Sequence, residues 1–293
     1  MKQSSFKLGT PDLPRLERLV RRIAVGRHPS TSMAALEAVE ALVALETGSA
    51  GLRVERHLFT HGGREFHNVL GTRDGTDAAR PRVLVGAHFD AAPHTPGADD
   101  NASAVAAMLE VARLLRDWAP AATVQYVGFN LEEPQPALAS RLGSRAYARK
   151  LAADGVSVAG ALVLEMVGFT GPQRWVPWSV RLVRRVPREG TFLAVVGDGR
   201  SRHLVRTFKR AARDVLPLVA LAVPLRGWLL PYSRMSDNAR FWDEGFPAVM
   251  VTDTAFLRNP HYHRITDTPD TLDYGFMGRV VTTVAKAVME LAG

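Results

Sequence analysis

The segment from Arg82 to Leu115, RVLVGAHFDAAPHTPGADDNASAVAAMLEVARLL, restricts the fold more than any other part of the chain. It opens with an apolar run, Val83-Leu84-Val85, of the length expected for a buried strand, and it closes in a helical apolar period. Two polar knots lie between them, His88-Phe89-Asp90 and Gly97-Ala98-Asp99-Asp100-Asn101. A strand that runs through His and Asp into a helix is a common way for an α/β protein to build a site at the carboxyl end of its sheet. The segment reads as half of a metal site, with the remaining ligands supplied from elsewhere in the chain.

The same alternation continues on both sides of it. Apolar spacing predicts helices over residues 12–23 and from Ser30 or Thr31 to a stop at Gly48. A hairpin follows, 52–60 and 65–72, turning at His61-Gly62-Gly63. Asn101 is expected to cap a helix that begins at Ala102. Beyond it, strands are predicted at 123–130, 158–166, 191–196, 218–223 and 247–252. Helices are predicted at 137–153, 201–215, near 237–244 and at about 276–291. Residues 170–190 have no clear period and read as a surface excursion, and residues 224–235 as a second loop. With no internal repeat or linker, this order predicts one α/β domain over residues 1–293 with helices on both faces of its sheet.

Composition narrows the function classes. The net charge is +8, yet only five of the 37 basic residues are Lys and the arginines are scattered. The tightest group is Arg181, Arg184, Arg185 and Arg188. A nucleic-acid surface concentrates its charge on one element and interleaves aromatics, so these arginines read as solvated faces and no nucleic-acid partner is expected. There is no Cys, which excludes disulfides and thiolate ligands. The N-terminal stretch has no apolar core of signal-peptide length and no window approaches a membrane span, so a cytoplasmic protein without a membrane partner is expected.

Polar knots recur where strands end. His88 and Asp90, two apart in extended chain, point to one side, as a metal-binding His and a carboxylate that fixes its ring would. A His beside an Asp is also an ordinary structural hydrogen bond. Asp99-Asp100-Asn101 can be a turn and a helix cap, although two consecutive carboxylates repel without a cation. Glu132-Glu133 closes the strand TVQYVGFN, where one carboxylate can bind metal while its neighbour moves a proton. Glu165 closes another apolar strand, where an unpaired carboxylate is costly to bury. The loop from Asn259 to Thr268 adds His261, Tyr262, His263 and Asp267. Together these offer imidazole and carboxylate only, the donor mix of zinc or a similar divalent ion in a hydrolase.

The motifs GAHFD, PGADDNASAVAAMLEVARLL, FNLEE, LEMVG and SDNARFWDEGFPAVMVTDTAFLRNPHYHRITDTPDTLD resemble, in order, those of the M28 family of zinc metallopeptidases. The likeness spans roughly residues 25–290 and includes Gly26-Arg27-His28-Pro29. It implies a single three-layer αβα domain with a mixed, mostly parallel central sheet and the N-terminal helices, about 11–49, packed on it. It also implies metal-dependent peptide hydrolysis, with an aminopeptidase as the nearest activity, a peptide or aminoacyl substrate and two zinc ions. By resemblance His88, Asp99, Glu133, Glu165 and His263 are the metal ligands, with Asp99 the bridge and the Asp99–Asp100 peptide cis. His88 and Glu165 would serve one ion, Glu133 and His263 the other. Glu132 is the general base, Asp90 orients His88, Asp267 supports His263, and Tyr262 matches a Tyr that donates to the substrate carbonyl.

Two positions depart from the pattern. Glu165 stands where many members have Asp, and Ser236-Asp237-Asn238 stands where Ser-Asp-His is usual. Trp175, Trp178 and Trp228 are candidate substrate contacts, and core or lid packing explains them equally well. Two other functions fit the same fold: a single-zinc acyltransferase of the glutaminyl-cyclase kind, and a non-catalytic binding protein.

Overall fold

The strand that opens the organising segment, β3 (Arg82–His88), lies in the middle of an eight-stranded sheet. The computed structural model describes residues 6–134, 141–183 and 185–293. In chain order its elements are α1 (Leu13–Ile23), α2 (Met33–Ser49), β1 (Arg53–His61), β2 (Arg64–Arg73), β3, α3 (Ala104–Leu114), β4 (Val124–Phe129), α4 (Leu142–Ala153) and β5 (Val158–Glu165). Then come β6 (Gly171–Pro172), α5 (Trp178–Val183), β7 (Glu189–Gly190), β8 (Leu193–Asp198), α6 (Arg202–Ala211), β9 (Leu218–Val223), α7 (Asn238–Asp243), β10 (Ala248–Thr252) and α8 (Tyr274–Ala292).

The sheet order is β1-β2-β4-β3-β5-β10-β8-β9. Pairing is antiparallel at β1–β2, β2–β4 and β10–β8 and parallel at the other four junctions, so the sheet is mixed and mostly parallel. Its middle strands are apolar at nearly every position because both faces are covered. Val83, Val85 and Ala87 of β3 and Leu162 and Leu164 of β5 join a core with α1, α2, α3, α6 and α8. The alternate residues, Leu84, Ala161 and Val163, pack with α4 and α7 on the opposite face. Two cores on either side of one sheet make the three layers.

Local signals set the helix ends. Asp12 caps α1 by accepting from the Arg15 amide, Pro14 occupies its first turn, and Leu16, Leu19, Val20 and Ile23 form its buried stripe. Asp273 caps α8 in the same way through the Phe276 amide. No helix among the described residues is long and apolar enough to cross a membrane.

Three expectations change. Asn101 does not cap a helix at Ala102: it and Asp100 have non-helical backbone angles, and α3 begins at Ala104. The Asn101 side chain instead ties this turn to the end of β5, donating to the Leu164 carbonyl at 3.1 Å and accepting from the Met166 amide at 2.9 Å. The cis peptide lies between Asp100 and Asn101, one residue beyond the expected place. Residues 170–190 carry the β6–β7 ribbon and α5, so the excursion has structure of its own. The expected helix start at 137 and Arg184 lie outside the described residues.

Candidate metal centre

The sheet topology explains how distant positions meet. His88 ends β3 and Glu165 ends β5, while Glu132 and Glu133 follow β4 by three and four residues. These strands are parallel neighbours, so their carboxyl ends open on one edge. Asp100 arrives from the turn before α3, and His263 from the loop after β10.

His88 Nε2 lies 3.4 Å from Asp100 Oδ1 and 3.5 Å from Glu165 Oε1. His263 Nε2 lies 3.2 Å from Asp100 Oδ2 and 3.2 Å from Glu133 Oε2. The ligand atoms of His88, Asp100 and Glu165 fall within 4.8 Å of one another, as do those of Asp100, Glu133 and His263. Asp100 thus belongs to both triads and gives one oxygen to each. Glu132 reaches the same distance from His88 and Glu133, and the Arg141 guanidinium meets it at 3.3 Å.

The expectation for Asp99 is corrected. Its carboxylate turns away from both triads, accepting from the Gly168 amide at 2.9 Å and from Asn259 Nδ2 at 2.7 Å. The extended angles at Asp100, rather than helical ones, aim these two consecutive side chains at different neighbours. The expected role of Asp267 also changes. Its two oxygens accept from the Asp99 and Asp100 amides, at 2.9 and 3.1 Å, so it holds the acidic turn and not the His263 ring. Asp90 does the same for the other acidic pair, accepting from the Glu132 and Glu133 amides at 3.0 and 3.1 Å while lying 3.4 Å from His88 Nδ1. Each tandem pair is clamped through its backbone by one buried carboxylate.

Electrostatics show what this crowding costs. Burial pushes Glu132 well above the carboxylate range, with Glu165, Asp237 and Glu133 adding to the rise and His88 opposing it. Burial and the charge of Asp100 raise Glu133 to about 7. Against its own burial, His263 is raised to about 11 by Asp100 and Glu133. Asp100 is held below the usual range, in spite of its burial, by His263 and His88. Both ring nitrogens of His88 and Oδ1 of Asp100 are buried without a hydrogen-bond partner among the described residues. Orphaned imidazole nitrogens and a buried carboxylate oxygen converging with further acids are the donor set a divalent zinc ion satisfies. The residues present fit the metal.

Arg141 carried no signal in the sequence, whereas the Ser236-Asp237-Asn238 motif was visible there but not its contacts. Ser236 Oγ donates to Glu165 Oε2 at 2.6 Å and fixes that longer carboxylate. Asn238, in place of the usual His, donates to the Ser233 carbonyl and secures the 224–235 loop. Asp237 between them is fully buried, which pushes its carboxyl up to about 7. The Tyr262 ring stacks on His263 with centroids 3.9 Å apart, and its phenol is raised by burial and by the surrounding carboxylates. Beside the centre lies an apolar cavity that Glu165, Ser236, Tyr262 and Trp175 help to line. Trp178 and Trp228 do not line it; both are exposed, and Trp228 lies under the Arg234 guanidinium at 4.2 Å.

Known proteins share this sequence and shape. Peptidase family M28 matches residues 68–288. The chain is 35% identical over 248 residues to the protein YfbL of Escherichia coli K12, which covers 80% of this chain and 74% of that one. It is 27% identical over 263 residues to a probable leucine aminopeptidase of Arthroderma otae, covering 84% of this chain and 61% of the fungal protein, so it spans about three fifths of that relative's length. The LapA aminopeptidase of Legionella pneumophila superposes with a TM-score of 0.75 at 15% identity, over 100% of this chain and 78% of that one. The glutaminyl cyclase of Macrostomum lignano gives 0.75 at 18% identity, over 95% and 89%. At such identities the two structures speak for the fold alone. Fold and sequence together define the class as zinc-dependent peptidases. The chain belongs to peptidase family M28.

Proposed function

We propose that the protein is an aminopeptidase working through a dinuclear zinc site, with Glu132 as general base. The observation that carries this reading is the position of Asp100, one carboxylate oxygen in each of two ligand triads. His88 and Glu165 would hold one ion, Glu133 and His263 the other, and Asp100 would join them. When bound, the ions polarise the scissile carbonyl and lower the pKa of the attacking water.

The protein's own groups do the rest. Glu132, raised by burial and by its acidic neighbours, is placed to take a proton from water and return it to the leaving amine. Arg141, 3.3 Å away, keeps this carboxylate in place. Asp90 fixes the backbone that aims Glu132 and Glu133, and Tyr262 stands at the edge of the apolar cavity, where its hydroxyl can donate to a substrate carbonyl. The cavity supports a substrate with an apolar N-terminal side chain. The glutaminyl-cyclase fold match supports a second reading, single-zinc acyl transfer by an internal amine. Two complete triads speak against it.

Removal of the metal tests the proposal. Dialysis against a chelator should abolish hydrolysis of leucine p-nitroanilide, and two equivalents of zinc per chain should restore it. Full activity with one equivalent, together with cyclisation of N-terminal glutamine, would move the assignment to the acyltransferase.

The metal-free protein should also show an unusual pH dependence of stability. Glu133, Asp237 and Asp267 are all raised to about 7, mainly by burial, and Asp253 to about 6. A carboxyl raised in the folded state adds stability that is complete below its unfolded value, near 4, and is lost as pH climbs through the folded value. His263, raised to about 11, acts in the same direction above its unfolded value of about 6.5. Chelated protein is therefore expected to be more stable at pH 5.5 than at pH 8, by at least about 2 kcal/mol or several degrees in Tm. Zinc should shrink that difference by the share of its ligands Glu133 and His263, which paired thermal melts would read directly.

A further inference from the structure

The Gly26-Arg27-His28-Pro29 segment takes no part in the chemistry above, yet it lies against three of the loops that carry ligands. It follows α1 and has no helix or strand of its own. Arg27 is fully buried, and its donors reach backbone carbonyls: Nε to Phe89 at 2.6 Å, Nη1 to Val25 at 3.1 Å and to Pro96 at 2.6 Å, and Nη2 to Gly97 at 3.0 Å. Phe89 is the neighbour of His88, and Pro96 and Gly97 lead into Asp99 and Asp100. His28 Nε2 adds a contact of 3.3 Å with the carbonyl of Pro134, the neighbour of Glu133.

Residues 89–97 join the end of β3 to the turn before α3 without a strand or helix. Carbonyls buried in such a stretch need partners that no ladder supplies. Arg27 serves the first residue of the loop and the last two, so one planar fork closes it at both ends. Gly97, at a φ of 61°, lets the fork come in: a Cβ there would meet Arg27 Nη1 at 3.2 Å and the Asp100 carbonyl oxygen at 2.3 Å. The spacing so fixed matters to the metal. The sheet holds His88, whereas Asp100 lies outside it, and the two belong to one triad with Nε2 and Oδ1 3.4 Å apart. Zinc takes nitrogen and oxygen ligands only at about 2.0–2.2 Å, so a small drift of the turn spoils the triad.

We infer that Arg27 is a positioning residue of the metal centre, setting the spacing between His88 and Asp100 by tying together the two ends of the loop that joins them. The inference rests on the zinc reading for what the two side chains hold, and on the hydrogen bonds alone for the tie. Burial lowers the guanidinium to about 10, with Asp90, Asp100, Asp267 and Glu133 opposing, so it stays charged at neutral pH. Its shape is what the tie needs. Carbonyls sit at all three guanidinium nitrogens, and the single ammonium of a lysine cannot reach them together.

The test compares Arg27→Lys, which keeps the charge and loses the fork, with Arg27→Gln, which loses both. In zinc titrations of chelated protein, each should bind about 10–100-fold more weakly than the parent, the usual effect of losing a group that supports a ligand. At saturating zinc, kcat on leucine p-nitroanilide should fall about 10–100-fold with KM within about threefold, because Arg27 does not line the substrate cavity. Leu204→Ala is the control for a general loss of stability. Leu204 is buried over Gly160, near the amino end of β5 and so at the opposite edge from the centre. It should lower Tm and leave zinc affinity within about threefold of the parent. Weaker zinc binding in both Arg27 variants supports the tie even if the parent cleaves no anilide, and in that event the hydrolase reading fails alone. Parental zinc affinity in Arg27→Lys, or an equal loss in Leu204→Ala, overturns the inference. If both Arg27 variants melt too early to titrate, Arg27→Ala is refolded with guanidinium or ammonium, each at millimolar levels far below denaturing ones. Guanidinium alone should restore zinc binding; restoration by both ions, or by neither, overturns the inference.

Discussion

Glu132→Gln is expected to keep its zinc and lose turnover by about 10²–10⁴-fold, the usual share of a positioned general base. The amide matches the carboxylate in size, and the Glu132 backbone stays anchored because the amide N–H donates to Asp90. Its neighbours already hold more negative charge than the buried space tolerates, as the raised Glu133 and Asp237 show. Removing one carboxylate should therefore leave the metal-free protein as stable as the parent, or more so, at pH 8. A residue that merely supported the fold would lower Tm and metal content together. Unchanged metal content with a fallen kcat and a nearly unchanged KM separates the proton-transfer role from that alternative. Turnover within tenfold of the parent would remove Glu132 from the chemistry.

Much of the fold was legible because burial on two faces leaves a plain mark. Val83-Leu84-Val85 and Ala161-Leu162-Val163-Leu164 are apolar without alternation, and both are interior strands with a core on each side. That polar residues gather near His88, Glu132-Glu133 and Glu165 was legible from where strands end, whereas the choice of His88, Glu133, Glu165 and His263 as ligands came from the resemblance. What could not be read was the direction of a side chain inside a turn. Asp99 and Asp100 are identical residues side by side, and the non-helical angles at Asp100 and Asn101 decide which one faces the histidines. The same turn withdraws Asn101 from its expected cap and gives its amide to β5. Asp267 and Asp90 act through backbone amides, which carry no residue identity for a sequence to display. Ser236 and Arg141 matter only through contacts made across the fold, to Glu165 and Glu132. Trp175, Trp178 and Trp228 look alike in sequence, yet only Trp175 lines the cavity.

The choice between the two aspartates leads to the other large effect. Asp100→Ala should weaken zinc binding by at least about 10³-fold, beyond the 10–100-fold typical of a group that only supports a ligand, and leave no measurable hydrolysis. Both triads lose a member at once, because Asp100 is the residue they share. His88 and His263 each also lose a carboxylate that raises them, so their protonation should shift toward lower pH in the metal-free protein. Asp99→Asn is the control at the adjacent position. Asp99 is pushed above the carboxylate range by burial and by Asp253, so a neutral side chain relieves repulsion there. One of its two hydrogen bonds, from the Gly168 amide or from Asn259, loses its acceptor, at about 1–3 kcal/mol of stability. Metal affinity should stay within about tenfold of the parent, as expected for a site whose ligands are untouched. Zinc titrations of the two variants side by side decide the matter: a metal-free Asp99→Asn beside a zinc-replete Asp100→Ala would return the bridging role to Asp99 and break the pairing of His88 and His263 through a single carboxylate.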